Sequence, residues 1–257
     1  MQSAIEATYW NKGWVVVDDV FPPDEVDALA ELAMAMSLEG SENALEDYPV
    51  DASPSGETAP RKIGRPFLKH PAFRAFVLDR RLTDIIATLL KADPLLLTDQ
   101  IFMKPPRFGS AKPYHQDNYY FQCQPADQLL TAWVALDDVD AQNGCLRYID
   151  GSHRNGLLPH AEVPELHHTF VPPPRYLALD KESLAPVRKG SVVFHHGEAL
   201  HTSHCNESDR WRRGYASHWV TRAVTSSTDT IEHAYFNANR PEYSGAVDKF
   251  FCNYMVV

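Results

Sequence analysis

The chain has no apolar run of about 18 residues, the length from which a membrane-spanning helix is recognised. Its opening, MQSAIEATYWNKGWVVVDDVF, lacks the basic start and the uninterrupted apolar stretch of a signal peptide. Four cysteines (Cys123, Cys145, Cys205 and Cys252) are too few for a disulfide scaffold in 257 residues, and none forms a Cys-x-x-Cys pair. These absences predict a protein that is neither secreted nor membrane-spanning and that works in the reducing cytoplasm.

Positive charge is also scarce. The 24 lysines and arginines are outnumbered by 34 acidic residues, which gives a formal charge of −10. Such a surface repels nucleic-acid phosphates and anionic lipids, and the one conspicuous basic cluster, Arg210, Arg212 and Arg213, is too short to reverse that repulsion. We therefore expect a small-molecule substrate as the partner, with no nucleic acid, no membrane and no evident obligate protein partner.

Hydrophobic residues make up 44% of the chain and charged residues 23%, as in an ordinary globular protein. The length allows one substantial core, so residues 1–257 are interpreted as a single domain. Residues 13–21 predict a strand, and Pro22, Pro23 and Asp24 then signal the start of a helix. Apolar residues at three- and four-residue steps over 71–91 predict amphipathic helices.

From Leu95 onward the pattern changes to short runs separated by Gly, Asn, Asp and Pro, which are typical of antiparallel strands. The runs are LLLTDQIFM, AKPYHQDNYYF, LLTAWVALDDV, GCLRYID, GSVVFHHG and RGYASHWVTRAV. They predict a mainly β fold with flanking helices, built on a double-stranded β-helix (jelly-roll) core. A helical buttress over about 22–92 would support a β core over about 95–225. The polar, aperiodic segment 40–60 is interpreted as a surface loop, with a lid that orders over bound substrate as the alternative.

The first chemical signal is His115-Gln-Asp117 within one of these strand-like runs. Alternate residues of a strand face the same way, so the two side chains would project together and could chelate one ion. Iron(II) oxygenases hold their metal with two histidines and one carboxylate, which leaves other coordination positions open. A third ligand from elsewhere in the chain is therefore required.

That ligand is expected in the histidine-rich segment 195–204, whose distance along the chain leaves room for intervening strands of a barrel. On residue type alone, His195, His196, His201 and His204 are rivals. A lone histidine is more often a structural hydrogen-bonding group than a ligand, so the residues by themselves leave the choice open.

Seven elements occur in order at regular positions along residues 13–219. They are VVVDDVF (15–21), PRK (60–62), LTDQIFMKPP (97–106), HQD (115–117), WVALDD (133–138), NGCLRYIDGSH (143–153), and His201 followed by Asn206, Ser208 and Arg212. Together they resemble the phytanoyl-CoA dioxygenase family of iron(II)- and 2-oxoglutarate-dependent oxygenases. The chain departs from the family pattern at Asp150, where a proline is common before Gly-Ser-His.

The resemblance implies a metal site made of His115, Asp117 and His201, because the family histidine stands just before a serine and about five residues before an asparagine. It implies that Arg212 pairs with the far carboxylate of 2-oxoglutarate, with Arg210 and Arg213 as rivals. It further implies that Gln116, Trp133, Ser203 and Lys104 line the cosubstrate pocket. Trp133 also has an alternative interpretation as a packing residue of a core strand.

The implied activity is hydroxylation of a C–H bond of a small organic substrate, with release of succinate and CO₂. Related halogenating enzymes replace the carboxylate ligand with a small residue, so the presence of Asp117 favours hydroxylation. Two alternatives stay open: a metal-dependent cupin-type isomerase or hydrolase that does not use 2-oxoglutarate, and a non-catalytic binding protein of the same fold. The prime substrate cannot be identified from the sequence; Arg61, Lys62, Tyr119, Tyr120 and the 40–60 segment are candidates to contact it.

Overall fold

The computed structural model describes residues 2–43, 47–164, 169–228 and 236–237. The helices are α1 (Gln2–Lys12), α2 (Pro23–Glu42), α3 (Pro66–Lys69), α4 (Pro71–Val77), α5 (Arg80–Leu90) and α6 (Asp117–Phe121). The strands are β1 (Trp14–Val17), β2 (Val50–Ala52), β3 (Thr58–Pro60), β4 (Lys62–Gly64), β5 (Leu95–Lys104), β6 (Lys112–His115), β7 (Cys123–Gln124), β8 (Leu129–Ala135), β9 (Leu146–Ile149), β10 (Ala161–Glu162), β11 (Phe170–Val171), β12 (Glu182–Ala185), β13 (Val192–His196), β14 (His201–Ser203), β15 (Arg212–Val220), β16 (Thr225–Ser226) and β17 (Phe236–Asn237). Short 3₁₀ turns lie at Ala126–Gln128, Ser152–Asn155, Pro174–Tyr176 and Leu179–Lys181.

Two antiparallel sheets form the core. The major sheet runs β1-β13-β8-β15-β5-β17, with β4 also paired to β5, and the minor sheet runs β12-β9-β14-β6. Their facing side chains share one hydrophobic cluster, in which Trp133 and Ala216 of the major sheet meet Leu146 and Tyr148 of the minor sheet. The mainly β jelly-roll fold with flanking helices, predicted from the sequence, is confirmed.

Strand β8 shows why the major sheet needs a layer on each side, since all of its residues are buried. Leu130 and Val134 point outward into the cluster shared with the helices, whereas Trp133 and Ala135 point between the two sheets. Side chains alternate along a strand, so a run that is apolar on both faces must be covered on both. We call the side turned toward the minor sheet the inner face.

The helices predicted over 71–91 are confirmed as α4 and α5. Asp79 separates them, and its carboxylate accepts a hydrogen bond from the backbone N–H of Arg81, a typical N-cap. Leu82, Ile86 and Leu89 then lie on one buried side of α5, within the cluster that covers the outer face of the major sheet. The helices thus act as a buttress for the sheet.

Two parts of the chain differ from the sequence prediction. Helix α1 was not foreseen, and the strand expected over 13–21 ends at Val17. Within 40–60, α2 extends to Glu42, residues 44–46 lie outside the described residues, and β2 pairs with β3 in a hairpin. The carboxylate of Asp51 anchors this hairpin by accepting hydrogen bonds from the backbone N–H and the hydroxyl of Ser110. Part of the segment, residues 40–42, 50–52 and 58–60, therefore has regular structure.

No helix among the residues that the structure describes is long and apolar enough to cross a membrane. Cys123, Cys145 and Cys205 are free thiols, and the first two are buried. Cys252 lies outside the described residues.

Candidate metal centre

Three of the expected site residues meet at one edge of the minor sheet. His115 ends β6, Asp117 begins α6 and His201 begins β14, where it pairs directly with His115. The Nε2 atoms of His115 and His201 lie 3.6 and 3.7 Å from Oδ1 of Asp117, and all three side chains are buried. Their potential ligand atoms lie within 4.8 Å of one another, the only such group of three found in the described part of the chain.

The local backbone that joins His115 to Asp117 differs from the strand that the sequence predicted. The strand stops at His115, and Asp117 is the first helical residue. Gln116 between them keeps extended dihedral angles, φ −117° and ψ 131°, so the alternation of side chains continues through this position. The expected shared orientation is therefore produced by a strand end and a helix start.

The tautomers of both histidines follow from their second ring nitrogen. Nδ1 of His115 lies 2.8 Å from the carbonyl oxygen of Pro113, and Nδ1 of His201 lies 3.0 Å from that of Ala199. A carbonyl only accepts hydrogen bonds, so each Nδ1 carries the hydrogen and each Nε2 keeps a free lone pair toward Asp117. This is the usual arrangement of histidines that bind a metal.

The other carboxylate oxygen of Asp117 is held by the major sheet. Oδ2 accepts a hydrogen bond of 2.6 Å from the hydroxyl of Thr131 and one of 3.0 Å from Nε2 of His195. Burial lowers the pKa of His195 to about 4, so its ring is neutral and Nδ1 accepts from the hydroxyl of Tyr148 at 2.8 Å. The network Tyr148–His195–Asp117 leaves Oδ1 as the oxygen that faces the two ligand histidines.

His218 completes this support. Thr131 lies between His195 and His218 in the register of three neighbouring strands, and its hydroxyl is 2.8 Å from Nδ1 of His218. Burial opposes the negative charge of Asp117, but His201, the hydrogen bond from His195 and His218 outweigh it and hold the pKa of that carboxyl well below its usual range. Asp117 is therefore ionised at neutral pH, as a metal ligand must be.

The two remaining histidines of the 195–204 segment have other surroundings. Nδ1 of His196 accepts a hydrogen bond of 3.0 Å from the backbone N–H of Glu198, and its ring packs 5.2 Å from that of His153. His204 is exposed. Neither belongs to the group of possible ligands.

Arg212 lies on the inner face with a guanidinium that lacks polar partners. It is 2% exposed, and its Nε and Nη2 atoms have no hydrogen-bond partner among the described residues. Its Cζ atom lies 4.4 Å from the centroid of the Trp133 ring. That ring lies across Gly214, where any Cβ atom would come within 1.9 Å of it. Burial lowers the pKa of Arg212 to about 10, so the group remains charged at neutral pH.

The two rival arginines are already paired. Arg213 forms two hydrogen bonds with the carboxylate of Asp137, at 2.9 Å from Nε and 2.6 Å from Nη2. Arg210 reaches Asp140 at 2.5 Å and is exposed. A buried cation without a counter-ion is costly, so Arg212 is the member of this cluster best suited to bind an anion.

Other residues implied for the cosubstrate pocket have different surroundings. The Nζ atom of Lys104 is within hydrogen-bond distance of the carbonyl oxygens of Ser110, Ser203 and His204. The amide of Gln116 is fully used: its nitrogen donates to the carbonyls of Gly156 and Glu198, and its oxygen accepts from the N–H of Leu158. These contacts tie loops together. The buried Ser203 lies on the same face as His201, two residues further along β14.

Thr131, Tyr148 and His218 were not singled out from the sequence. A signal did exist, because Thr131 and His218 are polar residues at inward positions of largely apolar strands, LLTAWVA and RRGYASHWV. A buried polar side chain in such a strand requires a partner. Their convergence on Asp117 depends on the pairing of β8 with β13 and β15, which the sequence does not show.

Two histidines and one carboxylate on one side of a buried site form the facial donor set that suits non-haem iron(II). Fold and donor set together are those of a jelly-roll protein with a candidate metal centre of the oxygenase type. The model of the family Phytanoyl-CoA dioxygenase (PhyH) matches residues 9–214, so the chain belongs to this family.

Among its relatives is a phytanoyl-CoA dioxygenase domain-containing protein 1 homolog of Caenorhabditis briggsae, 25% identical, with 87% of this chain and 92% of the relative covered. The corresponding protein of Mus musculus is 30% identical over 66% of this chain and 60% of its own length.

Solved structures with the same fold include two enzymes of nogalamycin biosynthesis. The epimerase SnoN, crystallised with Fe³⁺ and α-ketoglutarate, has a TM-score of 0.69 at 22% identity, covering 91% of this chain and 89% of that one. The α-ketoglutarate-dependent carbocyclase SnoK has a TM-score of 0.71 at 24% identity, covering 89% and 88%. The donor set of this chain, His115, Asp117 and His201, fits the expected iron cofactor.

Proposed function

We propose that this protein is an iron(II)- and 2-oxoglutarate-dependent dioxygenase that hydroxylates a C–H bond of a small organic substrate. One observation supports the proposal most directly: a buried guanidinium without a counter-ion accompanies a complete two-histidine, one-carboxylate donor set. A metal site alone would serve many reactions, but a fixed cation inside the same sandwich calls for an anionic cosubstrate.

The residues divide the work between two ends of the site. His115, Asp117 and His201 would hold iron, and Arg212 would hold the far carboxylate of 2-oxoglutarate with parallel N–H···O bonds. Bound iron and 2-oxoglutarate would supply the oxidising chemistry, in which one atom of O₂ enters succinate as CO₂ is released and the other is inserted into the substrate C–H bond. Thr131 and His195 keep Asp117 oriented, and Trp133 covers one face of the guanidinium.

Tyr148 connects the two ends. Burial raises the pKa of its hydroxyl well above the usual value, the charge of Asp117 adds to this shift, and the charge of Arg212 opposes it. The side chain therefore lies within electrostatic range of both the ligand carboxylate and the guanidinium. Its neutral hydroxyl donates to His195, so it contributes no charge that would repel a dianionic cosubstrate.

Hydroxylation is a more specific activity than 2-oxoglutarate-dependent oxidation in general. Asp117 occupies the carboxylate position, which favours hydroxylation over halogenation. The structural neighbours named above carry out epimerisation and ring closure on the same fold, so the fold leaves the outcome of substrate oxidation open. A small-molecule partner and a cytoplasmic location stay predictions.

The direct test is to load the purified protein with iron(II) under argon, add 2-oxoglutarate and O₂, and measure succinate and CO₂. We expect both products in equal amounts from the wild type and neither from Asp117→Ala. If the wild type forms no succinate even though it binds iron(II), the oxygenase proposal fails and a cupin-type reaction without 2-oxoglutarate becomes the better account.

A further inference from the structure

Lys112 at the start of β6 faces the metal centre because of a β-bulge. His201 and Ser203, two residues apart on β14, pair with His115 and Lys112, which are three residues apart on β6. Because His115 and Lys112 are an odd number of residues apart, simple alternation would place their side chains on opposite faces of the sheet. The extra residue on β6 brings both side chains to the same face. Directly paired residues share a face of a sheet, so Lys112 lies on the same face as both ligand histidines.

The ammonium of Lys112 has no carboxylate partner. Its Nζ atom lies 3.4 Å from the hydroxyl of Tyr120 and 5.5 Å from the centroid of the same ring, and no carboxylate of the described residues forms an ion pair with it. Lys69, by contrast, pairs with Asp47 at 2.8 Å. A partly buried lysine without such a partner has unused capacity for an anion.

Neighbouring basic residues add to the positive charge around Lys112. Burial lowers the pKa of Lys112 to about 8; Asp117 opposes this shift, whereas Arg61 and Lys62 add to it. Asp117 is committed to the donor set and to its hydrogen bonds from Thr131 and His195, so it does not neutralise the lysine. The surroundings of Lys112 are therefore locally cationic in a chain whose formal charge is −10.

An aromatic wall lies beside this lysine, made of Tyr119, Tyr120, His160 and Phe170. Tyr119 stacks on His160 with ring centroids 4.4 Å apart, and Phe170 lies 5.1 Å from Tyr119 and 5.8 Å from Tyr120. The ring of Tyr120 is 6.2 Å from that of His115, so the wall reaches the metal ligands. Such a surface suits a flat or apolar carbon skeleton.

We propose that Lys112 binds an anionic group, a carboxylate or a phosphate, on the prime substrate, while the aromatic wall holds its apolar part next to the metal. The inference rests on the proposed function, because it assigns a substrate class to the same site. It also gives the β-bulge a role, since the bulge turns the lysine toward the ligands.

The test uses protein loaded with iron(II) and 2-oxoglutarate in the absence of O₂. The probes are phenylacetate, phenyl phosphate and the neutral analogue phenylacetamide. Binding is followed by calorimetry and by the change that each probe causes in the visible charge-transfer band of the iron(II)–2-oxoglutarate complex. The two anions separate a carboxylate from a phosphate preference.

We expect the wild type to bind at least one anion more tightly than the amide. Lys112→Ala and Lys112→Gln should weaken that anion by about ten-fold or more, because a charge-assisted hydrogen bond is lost. Lys112→Arg should retain most of the affinity, and amide binding should not change in any variant. Lys181→Ala, which removes an exposed lysine, is the matched control.

Three results would overturn the inference. One is equal binding of anions and amide by the wild type, or no binding of any probe, while 2-oxoglutarate still binds. Another is unchanged anion affinity in the alanine and glutamine variants. The third is a loss of 2-oxoglutarate affinity in Lys112→Gln as large as the loss of probe affinity, which would assign the lysine to the cosubstrate. If the wild type binds no 2-oxoglutarate at all, the proposed function fails, and this inference fails with it.

Discussion

The donor set around Asp117 and the guanidinium of Arg212 are both buried polar groups on the inside of the sandwich, but they are stabilised differently. Around Asp117, the ligand histidines donate to backbone carbonyls and Oδ2 accepts from Thr131 and His195. At Arg212, two guanidinium nitrogens have no partner and the main contact is the face of Trp133. The protein thus fixes the geometry of the metal end by itself, whereas the guanidinium end requires a ligand to satisfy it.

This difference predicts that substitutions at the metal end abolish iron(II) binding, whereas substitutions at the guanidinium end weaken 2-oxoglutarate binding alone. The largest effect is expected from His115→Ala, Asp117→Ala and His201→Ala, each of which should abolish iron(II) binding and 2-oxoglutarate turnover while the fold remains. Calorimetric titration with iron(II) measures the binding, succinate formation measures the turnover, and circular dichroism measures the fold. His204→Ala should bind iron normally, because that side chain is exposed and outside the donor set. Wild-type iron affinity in His201→Ala would disprove the ligand assignment.

At the other end, Arg212→Lys should weaken 2-oxoglutarate binding and leave iron binding unchanged. A lysine cannot form two parallel bonds to a carboxylate, and the loss of about 2–3 kcal/mol corresponds to roughly a 30- to 150-fold increase in dissociation constant. Arg213→Lys is the control: it breaks the pair with Asp137 and should lower thermal stability without changing 2-oxoglutarate affinity. The opposite pattern would show that Arg213 is the carboxylate partner.

A smaller effect is expected from His195→Phe, which keeps a ring in the strand but removes the N–H that orients Asp117. Loss of a hydrogen bond to a metal ligand typically costs about ten-fold or more in metal affinity. Iron(II) affinity should therefore fall by about ten-fold, and some turnover should remain. Complete loss of iron would instead indicate that His195 is itself a ligand; no change would show that the network does not orient Asp117.

The smallest effect concerns Trp133. Replacement by leucine removes the ring face over Arg212 but not the arginine, and the cation–π contact exists with and without the cosubstrate, so 2-oxoglutarate affinity should fall by only about three-fold. Titrations of the wild type and Trp133→Leu with 2-oxoglutarate measure this difference. A decrease as large as that of Arg212→Lys would mean that the ring sets the position of the guanidinium.

Much of this architecture could be predicted from local patterns. The β core followed from short runs bounded by turn residues, and α4 and α5 followed from apolar spacing, because both signals lie within a few residues. The proximity of His115 and Asp117 also followed from alternation, although the chain turns from strand to helix between them. Helix α1 was missed because QSAIEATYWNK has no clear apolar stripe and no N-cap signal.

The interactions that the sequence could not supply are those between distant strands. Nothing near His195 in the chain indicates that it bonds Asp117 rather than the metal, since that contact depends on the register of β13 with β8. The same holds for Lys112, whose direction is set by one extra residue relative to β14. Resemblance identified Arg212; its buried guanidinium without a hydrogen-bond partner and the pairing of Arg213 with Asp137 distinguish the two residues physically.

The central claim is that the metal end and the guanidinium end bind one 2-oxoglutarate molecule between them. Anaerobic titration of 2-oxoglutarate into the iron(II)-loaded protein, followed by the visible charge-transfer band, tests it most directly. We expect one equivalent to saturate the band in the wild type, a much weaker titration to the same final band in Arg212→Lys, and no band in Asp117→Ala. A wild-type protein that holds iron(II) but shows no band, or a band whose titration is the same in Arg212→Lys, would contradict the account.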